Sequence, residues 1–240
     1  MKKKTKQPLL RKSHLPLYLL GGAMALFGLL SAVVWSISSN QAMQGLISAG
    51  QQRTRLASFD SSSGLVVGLI FLVLFIWCAV KSKGAVRAAF IVGAFASLGP
   101  ILTGRTEGLL FDTLGLVLPA GSVIAAAVAT FLFMLPMTIL FIILASSGKV
   151  PRSCRWIALL SIFLVLGSAL LPIVITVFAF LIKPGDPGIG QMMEVGSKIV
   201  KLRYILPGIS FLFMAYFSTR FSKSHTDIEP ASIPQEGGTK

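Results

Sequence analysis

The chain has 240 residues, of which 54% are hydrophobic and only 12% are charged, and its net charge is +14. Soluble domains carry about 25% charged residues, so this composition argues against an ordinary soluble globular protein. The apolar residues occur in runs of about 20, the length that an α-helix needs to cross the hydrocarbon core of a bilayer. We therefore predict an all-α, polytopic integral membrane protein.

The net positive charge predicts membrane topology rather than nucleic-acid binding. The basic residues cluster at the ends of apolar runs, and the interleaved basic and aromatic residues of a nucleic-acid groove are absent from the sequence. Each Lys or Arg near an anionic membrane surface is attracted to it by about 1 kcal/mol. The expected partners are the lipid bilayer, with anionic lipid at the inner face, and other membrane subunits, but no nucleic acid.

Six apolar runs are candidate transmembrane helices. In chain order they cover residues 15–37, 64–80, 85–102, 121–145, 156–182 and 204–219. The first run follows the basic sequence MKKKTK, as the apolar region of a secretory signal does. That region is 7–15 residues long in a signal and precedes a small-residue cleavage site, and this run is longer and lacks such a site. We predict an uncleaved first helix.

The distribution of Lys and Arg predicts the orientation. Fifteen of them fall in the two tails and in the second and fourth connections between successive runs. Seven fall in the first, third and fifth connections. Cytoplasmic loops carry the excess of positive charge, so both termini are expected in the cytoplasm, with the protein in the cell membrane. The predicted organisation is a basic cytoplasmic tail (1–14), a six-helix transmembrane domain (15–221) and a polar, disordered cytoplasmic tail (222–240).

One segment between the third and fourth runs does not fit this pattern. It reads GPILTGRTEGLLFDTLGLVLPAG and holds Arg105, Glu107 and Asp112. Its apolar part is too short to cross a bilayer, which predicts either a re-entrant half-helix or an interfacial helix near 105–119. One interpretation makes Asp112 a substrate- or ion-binding residue with Arg105 and Glu107 beside it, because ionisable groups at membrane depth tend to line pathways. The alternative places Asp112 on the wet face of an interfacial helix.

Hydroxyl side chains, glycines and prolines within the runs carry weaker signals. The serines and threonines either line a polar path or bond to the backbone of their own helix; they are Ser97, Thr130, Thr138, Ser161, Ser168 and Thr176. Gly64 and Gly68 form a GxxxG pattern, which allows the close approach of another helix. Three prolines, Pro136, Pro172 and Pro207, predict kinks.

The sequence lacks the residues of an enzyme site. The two histidines, His14 and His225, flank the apolar region, so no histidine is available as a metal ligand or general base within the bilayer. No HExxH, GxSxG or P-loop pattern occurs. We expect no catalytic residue, no metal and no cofactor. Cys78 and Cys154 both lie near the predicted cytoplasmic side, which argues against a disulfide.

Two hypotheses for function follow. The first is a small transporter or permease subunit of unknown substrate, with the 99–121 segment contributing to an outer site. The alternative is a non-transporting membrane scaffold, assembly factor or accessory subunit that binds partner helices and anionic lipid. Broken, Gly- and Pro-bracketed segments favour transport, whereas the scarcity of charge within the runs favours the scaffold. The sequence alone leads us to place transport slightly ahead.

Overall fold

The computed structural model describes residues 9–10, 14–45, 49–101, 121–181 and 202–220. Within these ranges the chain is all-helical and contains no strand, as predicted. The six longer helices are α1 (Leu15–Met43), α2 (Ala49–Lys81), α3 (Ala85–Ala96), α4 (Gly121–Ser146), α5 (Arg152–Leu181) and α6 (202–220). A short helical stretch, 98–101, follows α3.

Two helices extend well beyond the predicted apolar runs. Helix α1 continues to Met43 rather than ending near Ile37, and α2 starts at Ala49, fifteen residues before Gly64. A helix satisfies its own backbone hydrogen bonds, so it can continue through polar sequence once it has formed. Hydropathy marks only the apolar portion of such a helix. Helix α3 ends earlier than predicted, at Ala96, just before Gly99 and Pro100.

Consecutive helices pack side by side in alternating directions. Gly93 of α3 lies against Phe75 of α2 and Leu140 of α4. Gly99 lies against Phe133, earlier in α4, so α3 and α4 run antiparallel. Gly64 and Gly68 of α2 pack against Pro100 and Ser97 respectively, which shows that the GxxxG face is used within the chain.

The last helix lies at the centre of the described bundle. The Tyr204 ring packs against Phe27 of α1, Phe71 of α2 and Phe133 of α4, at centroid distances of 5.0, 6.2 and 4.7 Å. About two turns further along α6, the Phe211 ring packs against rings of α2, α3 and α4, namely Phe75, Phe90 and Phe141. Ser210 contacts Ser161 of α5. Helix α6 therefore touches all five other helices.

One end of the bundle collects most of the described positive charge. Helices α2 and α6 run parallel, because Phe71 contacts Tyr204 and the later Phe75 contacts the later Phe211. Lys81 therefore lies at the same end of the bundle as residue 220. A Cβ atom on Gly84 would lie 3.5 Å from Lys149 Nζ, which brings the α2–α3 and α4–α5 connections together. We call this the basic end; its cations are Lys81, Lys83, Arg87, Lys149, Arg152, Arg155 and Arg220.

Part of the predicted N-terminal tail packs onto this end. Leu9 and Leu10 are buried, at 2% and 1% exposure. The Leu9 backbone N–H donates to Ser218 Oγ at 3.3 Å, and Tyr18 OH lies 3.4 Å from Thr219 Oγ1. The beginning of α1 therefore lies beside the end of α6. The predicted C-terminal tail, 222–240, lies outside the described residues.

Two stretches of the described residues are long and apolar enough to cross a membrane. They are Leu15–Ser38 and Ser63–Lys81, with mean hydropathies of 2.1 and 2.7. Ala85–Ile101 and Phe131–Ser146 are apolar but shorter. Length and hydropathy alone also fit a core helix of a soluble protein or, near the N-terminus, a signal sequence. The structure thus gives two candidate spans where the sequence predicted six.

Candidate functional site

The residues predicted to bind a substrate or ion lie outside the described part of the chain. Arg105, Glu107 and Asp112 all fall in 102–120, as does the predicted re-entrant or interfacial helix near 105–119. The site described below is therefore a different one, at the basic end.

A pocket opens at the basic end, between the last turn of α4 and the first turns of α5. Its volume is about 180 Å³, and its lining consists of Ala145, Arg152, Arg155, Trp156 and Leu159. The four α5 positions are spaced by three, one and three residues, so they share one face of the helix. Two arginines, a tryptophan and two aliphatic residues thus line the same small space.

The local sequence SGKVPR builds this pocket by turning the chain sharply between the two helices. Val150 N–H donates to Ser147 O at 3.2 Å, which closes the turn around Gly148 and Lys149. Pro151 precedes the helix, and its carbonyl accepts the Arg155 N–H at 3.1 Å in the first turn. The two arginines therefore emerge from the first turn of α5, beside the end of α4.

Burial of neighbouring residues anchors this turn to the rest of the bundle. Val150 and Cys154 are fully buried. Cys154 Sγ lies 3.5 Å from Met214 O, which joins the start of α5 to α6. The thiols of Cys154 and of Cys78, near the end of α2, are both free and buried. Cys154 thus helps to fix the helix that carries Arg155.

The two arginines differ in their access to water. Arg152 is exposed, whereas Arg155 is partly buried. Arg155 Nε is fully shielded and has no hydrogen-bond acceptor among the described residues. A guanidinium carries five donors and no acceptor, so the donors of these two arginines that line the pocket are satisfied by an oxygen atom from water or from a ligand. The pocket is therefore suited to an oxyanion.

Serine and threonine hydroxyls in the described core bond to their own helices. Ser97, Thr138 and Ser168 donate to carbonyls three or four residues earlier. Ser161 Oγ and Ser210 Oγ lie 2.7 Å apart, and each is also within hydrogen-bond distance of a carbonyl of its own helix. Of the two interpretations of these residues, the structure supports local bonding; the side chains of Thr130 and Thr176 lie outside its description.

His14 lies at the start of α1, at the basic end. Its carbonyl accepts the N–H groups of Leu17 and Tyr18 at 3.0 and 3.1 Å. Its Nδ1 atom is buried and has no hydrogen-bond partner in the described ranges, and burial lowers the pKa of its imidazole. Among the described residues no group of three or more His, Cys, Asp or Glu side chains could hold a metal ion.

Sequence reasoning assigned Arg152 and Arg155 to topology and did not identify the pocket. The signal was present in RSCRWIAL, where two arginines, a tryptophan and a leucine fall on one helical face after a proline. What could not be read from the sequence was how closely the α4 end, with Ala145, approaches that face. No protein-family model, curated protein or solved structure matches the chain.

Proposed function

We propose that this chain is an integral protein of the cell membrane that crosses the bilayer six times, with both termini in the cytoplasm. We further propose that it acts as a non-transporting scaffold or accessory subunit. The observation that carries the proposal is the apolar outer surface of the helices, together with core hydroxyls that bond to nearby carbonyls or to each other.

Outward apolar residues support the membrane location. Phe163, Val80 and Val73 are 74%, 66% and 62% exposed. Only 33% and 39% of the two candidate spans are buried, whereas the core helix of a soluble protein is mostly buried. Soluble monomers rarely expose contiguous apolar patches of more than a few hundred Å², so lipid is the environment that suits this surface.

The helix directions support the six-span threading and its orientation. Alternating helices bring the start of α1, both basic connections and the end of α6 to the same end. That end carries the Lys and Arg residues of the α2–α3 and α4–α5 connections. No Asp or Glu occurs in 81–101 or in 121–181 to offset their charge. An excess of Lys and Arg marks cytoplasmic loops.

The packing of the core supports a scaffold rather than a conduit. Helix α6 fills the centre with Tyr204 and Phe211, and each of these two rings contacts phenylalanines from three other helices. The core hydroxyls noted above already bond to nearby carbonyls or to each other. A path for ions or polar solutes would instead require polar groups directed into a cavity.

A transporter or permease subunit is the second candidate, and one sequence observation favours it. Asp112 stands in the apolar run LLFDTLGLVLP, with Arg105 and Glu107 a few residues before it. A carboxylate at membrane depth would be costly without a functional role. The outer segment, rather than the packed core, would then contain the substrate- or ion-binding residues.

Gentle extraction followed by native mass spectrometry separates the two candidates. A scaffold or accessory subunit is expected to leave its membrane with a stoichiometric polypeptide partner. A chain that is recovered alone, and that drives solute flux when reconstituted, would contradict the scaffold and support transport.

A further inference from the structure

We propose that the pocket of Ala145, Arg152, Arg155, Trp156 and Leu159 binds the phosphate group of an anionic lipid headgroup. This inference rests on the membrane location given under the proposed function. It adds a defined site, with named residues, to the general attraction of a basic surface for anionic lipid.

The charge of the pocket selects an anion. Arg152 and Arg155 are both in its lining, and helices α3, α4 and α5 contain no Asp or Glu that could neutralise them locally. Guanidinium groups bind phosphate oxygens through paired, charge-assisted hydrogen bonds. Arg155 Nε is shielded from solvent, so the other guanidinium N–H groups of Arg155 and those of the exposed Arg152 are the donors for such oxygens.

The size of the pocket favours a headgroup phosphate over a complete soluble metabolite. Pockets that enclose small organic ligands have volumes of about 300–1,000 Å³, whereas this one has about 180 Å³. A phosphodiester fits a small space if the rest of the molecule continues outside it. The opening of the pocket must then lead to a surface that suits acyl chains.

The surface next to the pocket meets that requirement. Trp156 is 61% exposed, and further along α5 Leu160 and Phe163 are 60% and 74% exposed. Tryptophan favours the headgroup region, where its ring meets acyl chains and its N–H meets polar atoms. A lipid with its phosphate between the arginines would lay its chains along Leu159, Leu160 and Phe163, so the lipid is the source of phosphate that fits best.

The test uses the full chain in nanodiscs of equal parts phosphatidylglycerol and phosphatidylcholine, with native mass spectrometry of the lipids retained after release. The unmodified chain is expected to retain phosphatidylglycerol preferentially. Arg152→Gln combined with Arg155→Gln should reduce that preference by about tenfold, since hydrogen bonds to charged groups are lost. Arg152→Gln alone, at an exposed position, should give a smaller reduction and guards against misfolding of the double variant.

The matched control is Lys83→Gln combined with Lys149→Gln, which removes the same charge from exposed positions of the basic end outside the pocket. This control variant should keep the preference for phosphatidylglycerol.

Equal losses of that preference in the two double variants would show a diffuse surface effect and overturn the site. Displacement of the lipid by millimolar inorganic phosphate would identify free phosphate as the ligand and overturn the lipid assignment. A chain that fails to enter nanodiscs at all would contradict the membrane location itself, which distinguishes that failure from loss of the site.

Discussion

Helix α6 crosses α1 where Gly208 meets Gly21, and a Cβ atom on Gly208 would lie only 2.8 Å from Gly21 O. The same Cβ would lie 2.6 Å from the backbone N of Ala25. Real Cβ atoms do not approach backbone atoms at such distances, so the absence of a side chain at Gly208 allows the central helix to sit against α1. Small residues at helix crossings permit this kind of backbone approach in membrane proteins.

Gly208→Ala should therefore destabilise the protein, by about 1–3 kcal/mol, because the two helices would have to separate. The measurement is the temperature at which half of the detergent-solubilised protein loses its monodisperse chromatographic peak. Gly22→Ala is the matched control, since a Cβ there meets no atom within 4 Å. Alanine favours a helix over glycine by about 1 kcal/mol, so the control should be neutral or stabilised. Equal destabilisation by both changes would contradict the close crossing.

The sequence predicted the helices better than their arrangement. The run at 121–145 matches α4, Gly121–Ser146, within one residue, because a long uninterrupted apolar run bounded by Gly and Ser has clear ends. The central position of α6 was not predicted, since chain order does not reveal which of six apolar helices the others surround. The pocket was missed for a related reason: the i, i+3, i+4 spacing of its arginines and tryptophan was visible, but the approach of Ala145 depends on the turn between α4 and α5.

The Ser161–Ser210 pair should couple α5 to α6. The two hydroxyls lie 2.7 Å apart in the core, and hydrogen bonds between membrane helices contribute about 0.6 kcal/mol on average. A double-mutant cycle of Ser161→Ala and Ser210→Ala, followed by chemical unfolding in detergent micelles, should give a coupling free energy of about that size. Ser168→Ala is a suitable comparison because Ser168 donates within its own helix, to Val165 O. Strictly additive effects in the serine pair would contradict direct coupling.

Stability should depend on the protonation of His14. Burial lowers the pKa of this imidazole in the folded protein, below a value of about 6.5 for an exposed histidine. The unfolded chain then binds the proton at a higher pH than the folded one does. Stability is therefore complete above about pH 6.5 and is lost as the pH falls from there through the folded pKa. Thermal unfolding measured between pH 7.5 and 5 should show this loss, and His14→Gln should reduce it. An identical pH profile in the variant would contradict a contribution from His14.

Asp112 provides the test of the second functional candidate. If it lines a path, Asp112→Asn should abolish solute flux in proteoliposomes while leaving the amount of inserted protein unchanged, because the amide keeps the size and removes the charge. Asp60→Asn, a second carboxylate on the same predicted outer side, is the control and should retain flux. Normal flux in the Asp112 variant would remove this residue from the transport hypothesis.

The most direct test of the central claim is labelling of introduced cysteines with a membrane-impermeant maleimide from each side of the membrane. The four variants are Gln44→Cys, Gly148→Cys, Gly188→Cys and Ser222→Cys, and the unmodified chain provides the background because Cys78 and Cys154 are buried. The six-span account predicts labelling of positions 44 and 188 from outside intact cells, and of 148 and 222 only from the cytoplasmic face. Labelling of position 148 from outside, or of all four positions from one side, would contradict it.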